Sequence, residues 1–262
     1  MVKISQNINI IKIDSLKRYL EYINDTTDEG WLLFRGQCQD RPLLPKIGRL
    51  DLRGEFLKIE QEMFTEFKRR CFPYTNGKIN TDWDWLALAQ HHGLATRLLD
   101  WTENPLAALW FSVSYPPVKN EKTKNFNDGV VWVFKAKESD IVTFDELTNG
   151  SPFTLPRTRI FRPNHITNRI TAQSGWFTIH KYMARKDNFV KLETNASYKP
   201  YLEKLIIPFN LFSEFRHALD RLNINHSTIY PDLDGLCSYI ERKNSYLSDE
   251  RYNHGEDIIH VL

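Results

Sequence analysis

The sequence predicts an α+β fold: one compact domain over residues 1–262, its core between about 25 and 240, built as a mixed sheet flanked by helices. Three observations lead there. With 262 residues and 41% hydrophobic content, the chain buries one large core or two small ones, and a single core is the simpler reading. Short apolar, strand-like runs are interspersed with stretches at helical spacing. No repeat or low-complexity tract interrupts them.

Taken in order, residues 10–25 carry Leu16, Tyr19, Leu20 and Ile23 at helical spacing and predict a first helix, followed by a turn at Thr26-Thr27-Asp28-Glu29-Gly30. Trp31-Leu32-Leu33-Phe34-Arg35-Gly36-Gln37 predicts a strand. Over 55–70, Phe56, Ile59, Met63 and Phe67 share one face of an amphipathic helix. Thr81-Asp82-Trp83-Asp84 opens the next helix as a capping box closed by Asp, and Gly93 is its stop, so Gln90, His91 and His92 fall at its last turn. Thr102 is expected to cap a further helix that takes Pro105 in its first turn and buries Leu106, Leu109, Trp110 and Val113. Residues 115–129 read as a surface loop and 130–134 as a buried strand. Residues 148–168, with Pro152, Pro156 and Pro163, read as a long irregular loop. Strands are expected at 175–180 and 205–209, and closing helices at 213–222 and 232–246.

A formal net charge of +2, from 35 Lys and Arg against 33 Asp and Glu, gives no bulk electrostatic reason for a nucleic-acid or membrane partner. A local basic patch would have to come from Arg41, Lys46, Arg49, Arg53, Lys68, Arg69 and Arg70. Cys38, Cys71 and Cys237 are odd in number and far apart, which predicts neither a disulfide framework nor a zinc knuckle, and no metal is expected. Residues 1–11 alternate polar and apolar types instead of setting a cationic segment before an apolar one, and no later run approaches a membrane span. A cytoplasmic protein is the default expectation.

Chemistry is sought where polar groups sit in apolar strands, because an unpaired buried charge costs several kcal/mol. Arg35 is the clearest case. Its planar fork suits the diphosphate or carboxylate of a ligand, or a structural ion pair with Asp or Glu. Gly36 allows a bulge or close ligand approach. In Thr96-Arg97-Leu98-Leu99-Asp100-Trp101-Thr102, Arg97 and Asp100 fall on opposite faces of an extended chain, so each needs its own partner. One solution pairs Asp100 with Arg35; the other pairs Asp100 with Arg97 through a turn. His91 and His92 are acid–base candidates or satisfied structural groups. Gln173 donates and accepts hydrogen bonds but takes no proton, and Trp176 or Phe177 offers either a stacking face or core packing. Asp232 and Asp234 stand at a helix start, where carboxylates favour the dipole and cap free N–H groups; their spacing is an incomplete EF-hand.

Phe34-Arg35-Gly36 and the run His91-His92-Gly93-Leu94-Ala95-Thr96-Arg97-Leu98-Leu99-Asp100-Trp101-Thr102 together resemble the FRG domain, named for that tripeptide. The likeness continues through Asn104, Pro105, Ala108 and Phe111, then Arg169-Ile170-Thr171-Ala172-Gln173-Ser174-Gly175-Trp176-Phe177, and Tyr230-Pro231-Asp232-Leu233-Asp234-Gly235-Leu236. The motif order is also similar to the three-motif layout of ADP-ribosyltransferases that bind NAD. That resemblance implies an ADP-ribosyltransferase-like fold with NAD, or a related nucleotide, as substrate. It implies Arg35, Thr102 and Gln173 as catalytic groups, and Arg35, Gly36, Gln37, Thr96, Arg97, Asp100 and Trp176 around the cofactor, with Thr96 the other candidate for the second-motif hydroxyl.

Gln173 stands where the third motif supplies a glutamate. Nicotinamide loss passes through a cation-like ribosyl centre that a carboxylate stabilises while orienting the ribose hydroxyls, and glutamine keeps the orienting bond alone. Three outcomes stay open: transfer to an acceptor that needs no protein base, cleavage of the glycosidic bond of NAD or a nucleotide, or a binding module without chemistry. A nucleic-acid-binding protein is a further alternative. A toxin or phage-defence effector is a role that suits a small enzyme draining or marking a cellular target.

Overall fold

The computed structural model describes residues 7–26, 30–75, 79–164 and 173–250. Its elements run β1 (Asn9–Lys12), α1 (Leu16–Asp25), β2 (Trp31–Gln37), α2 (Phe56–Cys71), α3 (Asp82–His91), β3 (Leu98–Thr102), α4 (Pro105–Val113), β4 (Gly129–Ala136), α5 (Phe144–Asn149), β5 (Arg159–Phe161), β6 (Gly175–Ile179), β7 (Tyr182–Met183), β8 (Asn188–Phe189), β9 (Leu202–Ile207), α6 (Phe212–Arg221), α7 (His226–Ile229) and α8 (Leu233–Lys243). Seven strands form one sheet in the order β1-β9-β4-β2-β3-β6-β5, and β7 pairs with β8 apart from it. The sheet is mixed, because β1 joins β9 in parallel while the other neighbours are antiparallel.

The apolar run at 130–134 lies in β4, buried between β9 and β2 because both sheet faces are covered. On one face Val131 and Val133 pack with Phe34, α4 and the Phe212, Phe215 and Leu219 side of α6. On the other, Val130, Trp132 and Phe134 pack with Leu33, Leu99, Trp101 and Trp176. Helix α4 is apolar nearly all round, and it is accordingly enclosed: Tyr19 of α1 donates to the Pro105 carbonyl at 2.7 Å, and α6 closes the outer side. A third cluster joins Phe64 of α2 and Trp83, Leu86 and Ala87 of α3 to Leu98, Phe161, Phe177 and Ile179.

Several expectations change. Residues 10–25 do not form one helix: the first part is β1, and the helix begins after Ser15, whose side chain accepts from the Arg18 N–H. Local periodicity misses β1 because its partner, β9, lies far along the chain. Asn104, not Thr102, caps α4, accepting from the Leu106 and Ala107 N–H groups, with Pro105 in the first turn as expected. The stretch 148–168 is not wholly irregular, since Arg159–Phe161 forms β5 against β6. The last strand starts at Leu202, and Phe209–Leu211 is already a 3-10 turn. The predicted turn at 26–30, the irregular stretch at 165–168 and the Arg169-Ile170-Thr171-Ala172 run lie wholly or partly outside the described residues. Cys38, Cys71 and Cys237 are free thiols. No helix among the described residues is long and apolar enough to cross a membrane.

Candidate functional site

Strands β2 and β3 pair in register at Phe34 and Thr102. Beyond that point, where the ladder would continue, Arg35 Nη1 donates to the Asp100 carbonyl at 2.7 Å and lies 3.5 Å from the Asp100 carboxylate. Of the two partners considered for Asp100, Arg35 is the one it has. Arg97 is instead buried against Glu60, its Nε 2.8 Å from Glu60 Oε1, with Phe153 over its guanidinium. The extended β3 backbone turns the two charges to opposite sides, as alternation requires.

A cavity of about 340 Å³ opens here. Phe34, Arg35 and Gly36 form one wall, Asp100, Trp101 and Thr102 a second, Gln90 and His91 of α3 a third, with Phe111, Gln173, Gly175, Trp176, Phe177 and Tyr230 completing it. Most of the Arg35 side chain is enclosed, and burial lowers the pKa of its guanidinium, opposed by Asp100 and assisted by the like charge of Arg49. Its Nε is buried and has no hydrogen-bond partner among the described residues. A guanidinium in the wall of a cleft suits an anion.

Gln173 donates Nε2 to the Ile229 carbonyl at 3.1 Å, which leaves its side-chain oxygen as an acceptor. Ser174 beside it has φ 45°, a left-handed conformation uncommon for a non-glycine residue. Thr102 reaches the wall, but its hydroxyl donates to the Gln173 carbonyl and accepts from the Asn104 N–H, so it staples β3 to the Gln173 segment. Gly36 also lines the cleft, yet its lack of a side chain serves the fold: a Cβ there would lie 1.8 Å from the Ala108 carbonyl oxygen. Trp176 borders the cleft with its indole packed on Trp31, 5.0 Å between ring centroids, and Arg162 over it.

Three predicted residues stand away from the cavity wall. Gln37 accepts from the Arg41 N–H through Oε1, Arg97 is in its buried pair, and Thr96 lies behind Gln90. His91 lines the cleft, whereas His92 faces an apolar groove between α2 and α3. Gln90, Trp101, Phe111 and Tyr230 had no role assigned from sequence, although each sits in or next to a quoted motif. Buried outside the cleft wall, His180 Nε2 lies 3.1 Å from Thr178 Oγ1. Burial drives the His180 imidazole down to about 4, assisted by the Arg35 charge and opposed by the Val190 backbone.

The family model described as the FRG domain matches residues 31–121. Those residues form an FRG domain. The matched stretch begins at β2 and contributes the cleft residues from Phe34 to Phe111; Gln173, Gly175, Trp176, Phe177 and Tyr230 are added from beyond it. The tripeptide that names the domain is thus a sheet strand whose arginine faces a cleft and whose glycine admits a helix. No curated protein and no solved structure matches the chain.

Proposed function

We propose that the FRG cleft binds NAD or a related nucleotide and cleaves its nicotinamide–ribosyl bond. The observation that carries this reading is the meeting of Arg35, Thr102 and Gln173, from three separate motifs, around one cavity. The resemblance to ADP-ribosyltransferases itself rests on motif order.

On this reading Arg35 holds the phosphate or ribose region through its charge at the cleft wall. Gln173, held through its Nε2, accepts from a ribose hydroxyl with its oxygen. Thr102 is a positioning residue, its hydroxyl fixing the Gln173 backbone. Water forms a bond to the ribose anomeric carbon as the bond to the nicotinamide nitrogen breaks; nicotinamide leaves with the electron pair, and the proton from water passes to solvent. Asp100 supplies a carboxylate of the lining, and its negative charge favours a cation-like ribosyl centre where Gln173 supplies none.

A second reading, a nucleotide-binding module without turnover, is favoured by Gln173 itself, which cannot act as a base. The nucleic-acid reading is weakened by local engagement of four of the seven candidate charges: Lys46 bonds the Gly93 carbonyl, Lys68 pairs with Asp82, and Arg69 and Arg70 pair with Glu66. The deciding experiment incubates the protein with NAD and follows nicotinamide release together with melting temperature, with Arg35→Ala alongside. Release that disappears in the variant supports the enzyme; stabilisation without release supports the module; no response in either readout overturns both.

A further inference from the structure

Behind Asp100, hydrogen bonds run in one direction, from Thr96 through Gln90 to the Asp100 carboxylate beside Arg35. The Thr96 hydroxyl accepts from the Leu98 N–H at 3.1 Å, and its single proton goes to Gln90 Oε1 at 2.6 Å. That bond decides which end of the Gln90 amide turns away from Thr96. It is the NH2 group, and Nε2 lies 3.1 Å from both carboxylate oxygens of Asp100. The same carboxylate stands 3.5 Å from Arg35 Nη1. A flipped Gln90 would set its carbonyl oxygen against the carboxylate, two acceptors facing each other. Thr96 is 2% exposed, so water has little access to replace its proton, and its backbone carbonyl is tied to the Ile47 N–H at 3.4 Å.

We propose that Thr96 and Gln90 are positioning residues of the cleft, fixing the Asp100 carboxylate and through it the Arg35 guanidinium in the orientation that receives a ligand. The ligand part rests on the reading of Arg35 as a nucleotide clamp; the orientation part does not. Thr96 therefore acts without touching the cleft, which accounts for a hydroxyl that the sequence marks as a site residue and the fold places one layer back.

The test uses Thr96→Val, Thr96→Ser and Gln90→Met in the full chain. In the free protein, side-chain NMR of the Arg35 guanidinium is expected to show a hindered group in the wild type and Thr96→Ser, and a measurably less hindered one in Thr96→Val and Gln90→Met, where the bond to the Asp100 carbonyl remains. NAD affinity is expected to fall roughly tenfold in Thr96→Val and Gln90→Met, to recover in Thr96→Ser, and to fall no further when Arg35 is already alanine. Should Thr96→Val unfold because the Leu98 N–H loses its acceptor, Gln90→Met carries the same comparison. Unchanged Arg35 resonances in Gln90→Met, or affinity losses of equal size in the Arg35→Ala background, would overturn the relay. If Arg35→Ala leaves NAD binding intact, the nucleotide reading fails, and the NMR comparison by itself decides whether the relay exists.

Discussion

Arg35 Nη1 donates to the backbone carbonyl of Asp100 just past the Phe34–Thr102 pair, the point from which β2 and β3 cease to be in register. A side chain here satisfies a strand carbonyl that a neighbouring N–H would ordinarily satisfy. The two strands part here, and the guanidinium bridges the gap at the wall of the cleft. One residue thereby links the geometry of the sheet to the charge of the cleft.

Gly36 is expected to be intolerant of any side chain. A methyl there would meet the Ala108 carbonyl oxygen at 1.8 Å and Phe111 Cβ at 2.8 Å, and backbone in a packed helix yields little. Gly36→Ala is predicted to cost roughly 3 kcal/mol or to prevent folding. Urea denaturation reads this directly; a variant as stable as the wild type would show that α4 can lift off β2.

The Arg97–Glu60 pair is predicted to be structural. Glu60→Ala leaves a buried guanidinium uncompensated and is expected to cost about 3–5 kcal/mol, whereas replacing both residues by Met removes both charges and should restore most of that loss. The double variant is expected to retain ligand affinity. Affinity lost in a folded double variant would put Arg97 back among the ligand contacts.

Asp232 caps α8 by accepting from the Gly235 N–H at 2.8 Å. Asp232→Ala is expected to lower stability by about 1 kcal/mol with little effect on the cleft. Nicotinamide release or NAD binding lost at an unchanged melting temperature would contradict this assignment.

Acid is predicted to destabilise the fold through His180. Its folded value, about 4, lies below the ordinary 6.5, so the unfolded chain binds more protons as pH falls from 6.5 to 4. The stabilisation is complete above 6.5 and is lost as pH falls through about 4, a change on the order of 3 kcal/mol. Burial of His226 shifts it to about 4 as well and adds to the slope. Melting temperatures of His180→Gln between pH 7 and 4 should show a flatter profile; an equal slope would remove His180 as the cause.

Residue pattern alone located β2, α2, α3 and the buried strand β4, because each carries its apolar spacing within one segment. The cleft was legible where the motif residues themselves line it, as with Arg35, Asp100 and Gln173. It was not legible where a hydroxyl could serve equally as cap, staple or ligand contact: Thr102 was expected to cap a helix and instead holds Gln173, while Asn104 caps. Strands β1 and β5 escaped for another reason, since their pairing is with β9 and β6 and their own few residues carry little pattern.

By itself the sequence determined that Arg35, set in an apolar strand, must have a partner, and that Arg97 and Asp100 could not easily satisfy each other along an extended chain. Only the tertiary structure decided that Asp100 goes to Arg35 and Glu60 to Arg97. Local periodicity fixes which face a side chain occupies, but the partner on that face is set by strand neighbours and helix packing between segments far apart in the chain.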